Sequence, residues 1–352
     1  MRPIDGPNPE MLILARESRG YSQTQLAKKA GVSQAAISKF ESGVLEIPDD
    51  RLKAIAEAVE YPTAFFFRRD RRYGYGSPCI YHRKRQSLPL SKQRELQATL
   101  NIRRIEIARL LRSVEIETDA GFVRMDIEDY DSPEQIAQLI RRSWRLPLGP
   151  VQNLVRSIEN AGGIVISGSF GTHKLDAISL RTPGLPPFFF VNRDIPGDRM
   201  RFTLAHEIGH VVMHTLPSVE QEREADKFAA ELLMPAKEIK SDLRPLNFQK
   251  LGSLKYHWKV AMSALIRRAR DLDQITDRQA KRFWMKMGEL GYRTNEPYPI
   301  AQEEPSIVKD VVDLHLRHYG YSIPELSKTV ALYTEEFHSL YVHEMPRLRL
   351  VE

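Results

Sequence analysis

The sequence predicts a mainly α-helical protein with one small β-sheet, which places it in the α+β class. Apolar residues recur at helical spacing over most of the 352-residue chain. Three short runs rich in β-branched or aromatic residues interrupt this pattern: GIVIS (163–167), DAISL (176–180) and PFFFVN (187–192). Runs of this length between turn residues are typical of strands. The length and a hydrophobic content of 42% allow two or more domains with separate cores.

The cysteine content and the N-terminal sequence indicate a cytoplasmic protein. The chain has one cysteine, which excludes an internal disulfide framework. The N-terminal MRPIDGPNPE lacks the basic and apolar regions of a signal peptide. No run approaches the roughly 18–20 apolar residues of a membrane span, so no membrane partner is expected. A reducing compartment is therefore the expected location.

Positive charge is concentrated in one segment of the chain. The net charge is +6, and residues 68–85 hold seven basic side chains against one acid, Asp70. The basic residues are Arg68, Arg69, Arg71, Arg72, Arg83, Lys84 and Arg85. Such a segment suggests contact with nucleic-acid phosphates, and a solvated charged face is the alternative.

The first seventy residues have the pattern of short helices joined by tight turns. Residues 10–19 carry the first apolar stripe, and Ser22 is a suitable N-cap for a second helix. Gly31 lies in a three-residue turn, a third helix stops at Gly43, and a fourth begins after Pro48. Two helices joined by so short a turn are typical of a helix-turn-helix motif.

The segment YSQTQLAKKAGVSQAAISKFESGVLEIPDDRLKAIAEAV (21–59) resembles the phage-repressor (Cro/cI, or Xre) type of helix-turn-helix domain. This resemblance implies a five-helix-type domain that binds DNA with the second helix of the motif in the major groove, and Gln23 as a phosphate contact. The residues it places near base edges or phosphates are Ser33, Gln34, Ala35, Ser38 and Lys39, and their chemistry suits those contacts. A protein-interaction module is the alternative. The family binds mostly as a dimer, so a homodimer is compatible with the resemblance, although no dimerisation element is identifiable.

The middle of the chain predicts a connector and further helices. Residues 91–117 have a long amphipathic pattern that favours one packing helix. Ser132 and Pro133 begin the helix SPEQIAQLIRRSW, and GPVQNLVRSIENAGG predicts another helix before the three strands.

The segment RMRFTLAHEIGHVVMHT follows the last predicted strand and contains an H-E-x-x-H pattern. On a helix, His206 and His210 lie one turn apart on one face, so both imidazoles can bind a single metal ion. Glu207 lies beside the first histidine, where its carboxylate can accept a proton from water. Burying these groups on an apolar helix is costly without a metal, and hydrogen-bonded core histidines are the alternative. His214 repeats the spacing, but three histidines on one straight helix do not suit one tetrahedral ion.

The next helical run, SVEQEREADKFAAELLMP, offers a third ligand. Glu222 and Asp226 are four residues apart and share a face, so Glu222 can complete the site while Asp226 accepts the outer N–H of a ligating histidine. Glu220 is the main alternative ligand, and Glu224 is expected to face elsewhere. Zinc is the expected ion, and manganese also suits a His/His/Glu set.

The double motif RFTLAHEIGHVVMH and EREADKFAAELLMP is similar to the ImmA/IrrE family of metallopeptidases, and the likeness extends through residues 251–276. The resemblance implies a gluzincin-like zinc site, with His206, His210 and Glu222 as ligands and Glu207 as general base. It also implies that the substrate is a helix-turn-helix repressor, whose cleavage would derepress phage, mobile-element, defence or stress genes. A transcriptional regulator whose metal domain is a sensor or dimerisation module is the alternative from another functional class.

The rest of the chain offers weaker signals. Tyr256, His257 and His173 are candidates by residue type for a second oxyanion stabiliser. The helix containing Arg267, Arg268 and Arg270 has a strong apolar stripe and is expected to be a packed cap over the cleft, with a nucleic-acid helix as the alternative. The last fifty residues predict two amphipathic helices, in which His315 and His318 are expected at the surface.

Cys79 lies in the connector YGYGSPCIYHRKR, next to the basic cluster. A thiolate that reached the open position of a zinc site would hold the enzyme inactive. The first interpretation of Cys79 is a small buried side chain in the connector, and the alternative is a candidate inhibitory ligand that nucleic acid bound to the connector could release.

These patterns divide the chain into five segments. They are a helix-turn-helix domain (1–70), a basic connector with a long helix (71–130), a zincin-like metallopeptidase core (131–240), a three-helix cap (241–297) and a C-terminal helical segment (298–352).

Overall fold

The computed structural model describes residues 6–73, 88–118, 120–215 and 218–342. These residues form two compact units. The first contains the described residues up to 73, from 88 to 115 and from 306 to 342, and the second contains those from 116 to 305. No helix in the described ranges is long and apolar enough to cross a bilayer.

The first unit begins with four short helices and a 3-10 helix. They are α1 (Pro9–Ser18), α2 (Gln23–Ala30), α3 (Gln34–Glu41), α4 (Asp49–Val59) and the 3-10 helix Thr63–Phe67. Ser22 caps α2 in a capping box with Gln25, and Gly31 ends it at a φ of +64°. The predicted helix-turn-helix is confirmed, with the 3-10 helix as the fifth element.

Helix α5 (Leu90–Leu110) is the predicted long helix, but it ends earlier than expected. A short 3-10 turn, Leu111–Ser113, follows it, and the backbone is extended at Val114. The segment VEIET after this turn is rich in β-branched residues, which favour extended backbone over helix. α5 packs against α1 within the first unit.

The second unit contains the sheet and most of the remaining helices. It begins with α6 (Pro133–Ser143), α7 (Leu154–Asn160), β1 (Ile164–Gly168), β2 (Ala177–Leu180) and β3 (Phe188–Asn192). The three predicted strands form one sheet in the order β1-β3-β2. β3 runs parallel to β1 and antiparallel to β2, so β2 is an edge strand.

Two helices that follow the sheet in the chain carry the side chains of the predicted metal site. They are α8 (Gly197–Met213) and α9 (Gln221–Leu233), followed by the short α10 (Ala236–Ile239). α8 packs against α9 and against β2. Gly209 permits the close approach of the two helices, because a Cβ atom there would lie 3.1 Å from the Phe228 ring and 3.3 Å from the Ala225 Cα.

Three further helices complete the core of the second unit: α11 (Phe248–Trp258), α12 (Met262–Asp271) and α13 (Asp277–Glu289). Their buried residues, such as Leu251, Trp258 and Ile266, join one apolar cluster with α6 to α9 and the sheet. The helices predicted for this region therefore pack into the core on one side.

The C-terminal part of the first unit has three helices where the sequence predicted two. They are α14 (Ile307–Arg317), α15 (Ile323–Val330) and α16 (Thr334–Tyr341). Ala331 separates the last two because it adopts a left-handed φ of 45°. α14 and α15 pack against α5, so these helices share a compact unit with the N-terminal residues.

His315 is buried, which makes the prediction of a surface position wrong. Its Nδ1 lies 2.8 Å from the Val311 carbonyl oxygen and its Nε2 lies 3.2 Å from the Ser113 hydroxyl. Both ring nitrogens have partners inside the unit, so burial leaves neither unsatisfied. His318 is exposed, as expected.

Candidate metal centre and helix-turn-helix surface

Helix α8 brings His206 and His210 together on one face. Their rings meet edge to face with centroids 4.7 Å apart, and their Nε2 atoms lie 3.0 Å from each other. His210 is 1% exposed and His206 is 8% exposed. The helical spacing and the apolar surroundings of α8 therefore hold the Nε2 atoms of both rings close enough to bind one ion.

Helix α9 adds a carboxylate to the same point. Glu222 places Oε1 3.4 Å from His210 Nε2 and Oε2 3.7 Å from His206 Nε2. One donor atom from each of the three residues lies within 4.8 Å of the others, and no other such group occurs in the described ranges. Glu220, the alternative ligand, is exposed and forms an ion pair with Arg223 at 3.4 Å.

The donor set fits a divalent metal ion. Two imidazole nitrogens and one carboxylate oxygen converge on a shared point, as the three protein ligands of catalytic zinc sites do. Two nitrogens 3.0 Å apart that both carried protons would repel, whereas two lone pairs directed at one cation would be stabilised. The cluster is partly open to solvent at Glu222, whose side chain is 34% exposed.

Asp226 contacts the outer nitrogen of the His206 ring, and Arg267 contacts Asp226. Asp226 Oδ1 lies 2.9 Å from His206 Nδ1, so the carboxylate can accept the outer N–H and direct Nε2 towards the cluster. Arg267 Nη1 lies 3.5 Å from Asp226 Oδ2. Burial raises the pKa of Asp226, but the hydrogen bond and charge of His206, with the charge of Arg267, outweigh it and hold that pKa below its ordinary value.

His214 contacts His210, and Glu224 contacts His214 in turn; the sequence assigned neither contact. His214 Nδ1 lies 2.9 Å from His210 Nδ1, and its Nε2 lies 3.0 Å from Glu224 Oε2. Glu224 was expected to face elsewhere, and its side chain contacts His214, while the metal cluster does not include it. Burial lowers the pKa of His214 although Glu224 raises it, which favours the neutral ring. The recurring i+4 spacing of the three histidines was the available signal.

Glu207 is fully buried beside the cluster and is held by the edge strand. Its Oε2 accepts hydrogen bonds from the Ser179 backbone N–H at 2.9 Å and from the Ser179 hydroxyl at 2.6 Å. Ser179 lies on β2, 28 positions earlier in the chain, and nothing in the local sequence indicated it. The two donors fix the orientation of the carboxylate proposed as general base.

The helix-turn-helix surface presents most of the predicted DNA contacts. Gln34, Ala35 and Lys39 are exposed on α3, and Ser38 is half-buried. Ser33 is also exposed, but its hydroxyl accepts from the Ala36 N–H and caps the helix. The predicted contact residues therefore line the outer face of α3.

Gln23 and Gln34 are linked across the two helices of the motif. Gln34 Nε2 donates to Gln23 Oε1 at 2.8 Å, and Gln23 Nε2 donates to Glu41 Oε2 at 2.8 Å. Glu41 is in turn held by Arg16. This chain of bonds orders both glutamines before any ligand binds.

Two known domain families match the chain. Residues 12–66 match the family model described as helix-turn-helix, and residues 159–270 match the peptidase family model described as the IrrE N-terminal-like domain. Residues 12–66 are therefore similar to helix-turn-helix domains, and residues 159–270 are similar to IrrE N-terminal-like domains. The resemblances found in the sequence are thereby confirmed. A search of curated proteins finds no match to this chain.

The segment that matches the IrrE N-terminal-like family begins within α7 and ends within α12, so it includes the sheet, α8 and α9. It therefore holds every member of the metal cluster. The candidate oxyanion residues Tyr256, His257 and His173 are exposed.

The three arginines of α12 have three different environments. Arg268 is buried, donates to the Met234 carbonyl and forms an ion pair with Glu231. Arg270 pairs with its neighbour Asp271, and only Arg267 approaches the metal cluster. A packed cap therefore explains this helix better than a nucleic-acid helix does.

The basic segment next to the helix-turn-helix domain is described only in part. Cys79, Arg83, Lys84 and Arg85 lie outside the described residues. Arg69, Arg71 and Arg72 are exposed. Arg68 is buried and donates to the Thr329 carbonyl, and burial lowers its pKa to about 10, so it does not belong to a solvated basic surface.

Proposed function

We propose that the protein is a zinc-dependent site-specific endopeptidase whose substrate is a helix-turn-helix repressor. The observation that carries the proposal is the convergence of His206, His210 and Glu222 beside the buried carboxylate of Glu207. A match to a peptidase family over residues 159–270 supports the reaction class. Manganese is an alternative ion for the same donor set.

The residues of the chain have separate roles in this mechanism. His206, His210 and Glu222 would hold the ion, which supplies a Lewis acid that polarises a carbonyl group and acidifies water. Glu207 accepts a proton from the attacking water and later gives a proton to the leaving amine. Ser179 holds the Glu207 carboxylate in one orientation throughout, so the base is positioned before substrate binds.

The edge strand β2 suits the binding of an extended peptide. β2 pairs with β3 on one side only, and it contacts α8, which carries the H-E-x-x-H pattern. A substrate segment can add to such an edge as a further strand, with main-chain hydrogen bonds supplying affinity. A loop of a folded repressor can adopt this extended form.

The helix-turn-helix domain gives the proposed protease a route to its target. Exposed Gln34 and Lys39 suit contacts with base edges and phosphates. DNA binding would bring the protease to the operator that its repressor substrate occupies, or would let it respond to nucleic acid released under stress. Both settings agree with action in the cytoplasm.

The test substitutes Glu207 by glutamine in the full chain. The glutamine carbonyl can still accept the two Ser179 hydrogen bonds, so folding and metal binding should be retained. Without the base, cleavage should fall by about 10²–10⁴-fold. Each variant is incubated with zinc and a repressor encoded beside the protein, and fragments are identified by mass spectrometry.

Glu220→Gln is the matched control, because it removes an exposed carboxylate near the same cluster and should cleave like the parent. Equal cleavage by Glu207→Gln and the parent would refute the proposed base. If the parent binds metal and DNA yet cleaves no repressor, the metal domain would instead act as a sensor or dimerisation module of a transcriptional regulator.

A further inference from the structure

We propose that His214 and Glu224 are positioning residues that fix the metal-binding tautomer of His210. His214 is 5% exposed and lies at the C-terminal end of α8, while Glu224 lies in the first turn of α9. The inference rests on the proposed metal site, because it concerns how one ligand of that site is oriented.

The two short contacts determine where the protons lie. An ionised carboxylate only accepts hydrogen bonds, so Glu224 requires the proton of His214 on Nε2. Metal binding through His210 Nε2 requires the His210 proton on Nδ1, so His214 must accept there with the lone pair of its own Nδ1. The 2.9 Å contact between the two Nδ1 atoms requires one donor, which is therefore His210. His210 Nε2 is left with a lone pair that points at His206 Nε2 and Glu222.

The opposite arrangement is incompatible with metal binding. If His214 donated from Nδ1, His210 would have to accept there and carry its proton on Nε2. That proton would occupy the position where the ion binds. Glu224 and His214 thus form a relay that selects one of the two tautomers of His210.

The relay parallels the role of Asp226 on the other histidine. Asp226 contacts His206 Nδ1 directly, whereas Glu224 acts on His210 through the intervening ring of His214. Both carboxylates lie on α9, and they contact histidines about two turns apart along α8. Arg124 adds a further restraint, because its Nη2 donates to the His214 carbonyl oxygen at 3.0 Å.

The experiment measures zinc affinity of the full chain by competition with a chromophoric chelator. His214→Phe keeps a planar ring but removes the acceptor, so zinc affinity should fall about 10–100-fold. His214→Gln offers a carbonyl oxygen that can accept from His210, and it should bind more tightly than His214→Phe. Glu224→Ala should also weaken binding, whereas Glu220→Gln on the same helix should not.

The absorption spectrum of the cobalt-loaded protein distinguishes a positioning residue from a ligand. If His214 only orients His210, the spectrum of His214→Phe should keep the parent band positions once the site is saturated. A change in coordination would make His214 a ligand and overturn the proposal. Parent-like zinc affinity in His214→Phe would overturn it equally.

Thermal unfolding of the metal-free proteins separates orientation from packing. A purely structural role would lower the melting temperature of the metal-free Glu224→Ala and His214→Gln variants without changing their zinc affinity, and that result would also refute the relay. Because zinc affinity is measured without substrate, it is independent of cleavage. A parent that binds zinc through the relay but cleaves nothing would refute only the proposed function.

Discussion

Glu231 is a buried carboxylate whose partners come from three other parts of the chain. It is 1% exposed and pairs with Arg268, which is 4% exposed. It also accepts from Gln138 Nε2 at 2.8 Å and from the Ala236 N–H at 3.2 Å. The residue therefore joins α6, α9 and α12 around the start of α10, and it lies on the same helix that supplies Glu222.

Removing one member of this pair should be strongly destabilising. Glu231→Leu leaves the Arg268 guanidinium buried without a counter-charge, and the expected loss is about 3–5 kcal/mol of unfolding free energy. Denaturation by urea measures it. Replacing Arg268 by leucine as well should recover part of the loss, because no isolated charge then remains.

The exposed pair Arg223 and Glu220 gives the control for this prediction. Arg223→Ala should change stability by less than about 0.5 kcal/mol, since solvated ion pairs contribute little. A Glu231→Leu variant as stable as Arg223→Ala would contradict the buried-pair argument.

At the level of elements, the metal cluster depends on the distance between α8 and α9. α8 supplies both histidines and Glu207, and α9 supplies Glu222, Glu224 and Asp226. Gly209 lies in the contact between the two helices, where Phe228 and Ala225 leave little space. The glycine inside the H-E-x-x-H pattern is therefore a packing requirement as well as a spacer.

Gly209→Val should separate the two helices. The new side chain would overlap the Phe228 ring, so we expect a loss of about 1–3 kcal/mol in stability. Because α9 carries the carboxylates, zinc affinity should fall together with stability. Thermal unfolding and chelator competition measure the two effects.

Gly288 in α13 provides a matched control. The three atoms nearest to a Cβ atom there all belong to the flexible side chain of Arg293, which can move away. Gly288→Val should therefore leave zinc affinity unchanged. Unchanged affinity in Gly209→Val as well would show that the cluster does not depend on this helix contact.

At the scale of the whole molecule, the two candidate functions lie in different compact units. Every residue of the metal cluster lies between 206 and 226, in the second unit, and the predicted DNA contacts lie between 23 and 39, in the first. The five-segment division predicted from the sequence separated residues 298–352 from the N-terminus. In the structure α14 to α16 pack in the first unit, so the C-terminal helices support the fold that contains the helix-turn-helix.

DNA binding should therefore depend on α3 and not on the metal. Gln34→Ala with Lys39→Ala should weaken operator binding by about 1–3 kcal/mol for the lost base contact, and should reduce the salt dependence because a phosphate contact is lost. Fluorescence anisotropy at several salt concentrations measures both. Chelation of the metal should leave the affinity unchanged.

Lys53→Ala on α4 is the control, because it removes an exposed lysine of the same unit outside the predicted contact surface. Parent-like binding by the Gln34/Lys39 double variant would argue that the motif serves as a protein-interaction module.

Local patterns in the sequence were sufficient for most of the elements and for part of the site. The capping residue Ser22, the turn at Gly31 and the three strands are encoded within a few residues, because caps, turns and periodicity act over short distances. The same holds for His206, Glu207 and His210, which one helical turn brings together, and for the shared face of Glu222 and Asp226. Only the packing of α8 against α9, which brings these two groups of side chains together, depended on the tertiary structure.

The remaining features depend on tertiary packing. Ser179 reaches Glu207 only because β2 lies against α8, and Glu224 reaches His214 only because α9 crosses the end of α8. His315 and Arg268 are likewise buried because tertiary packing brings them against Ser113 and Glu231, which lie far away in the sequence. Sequence periodicity determines which residues share a face, whereas the hydrogen bonds that orient Glu207 and His210 are decided by contacts between elements that are separate in sequence.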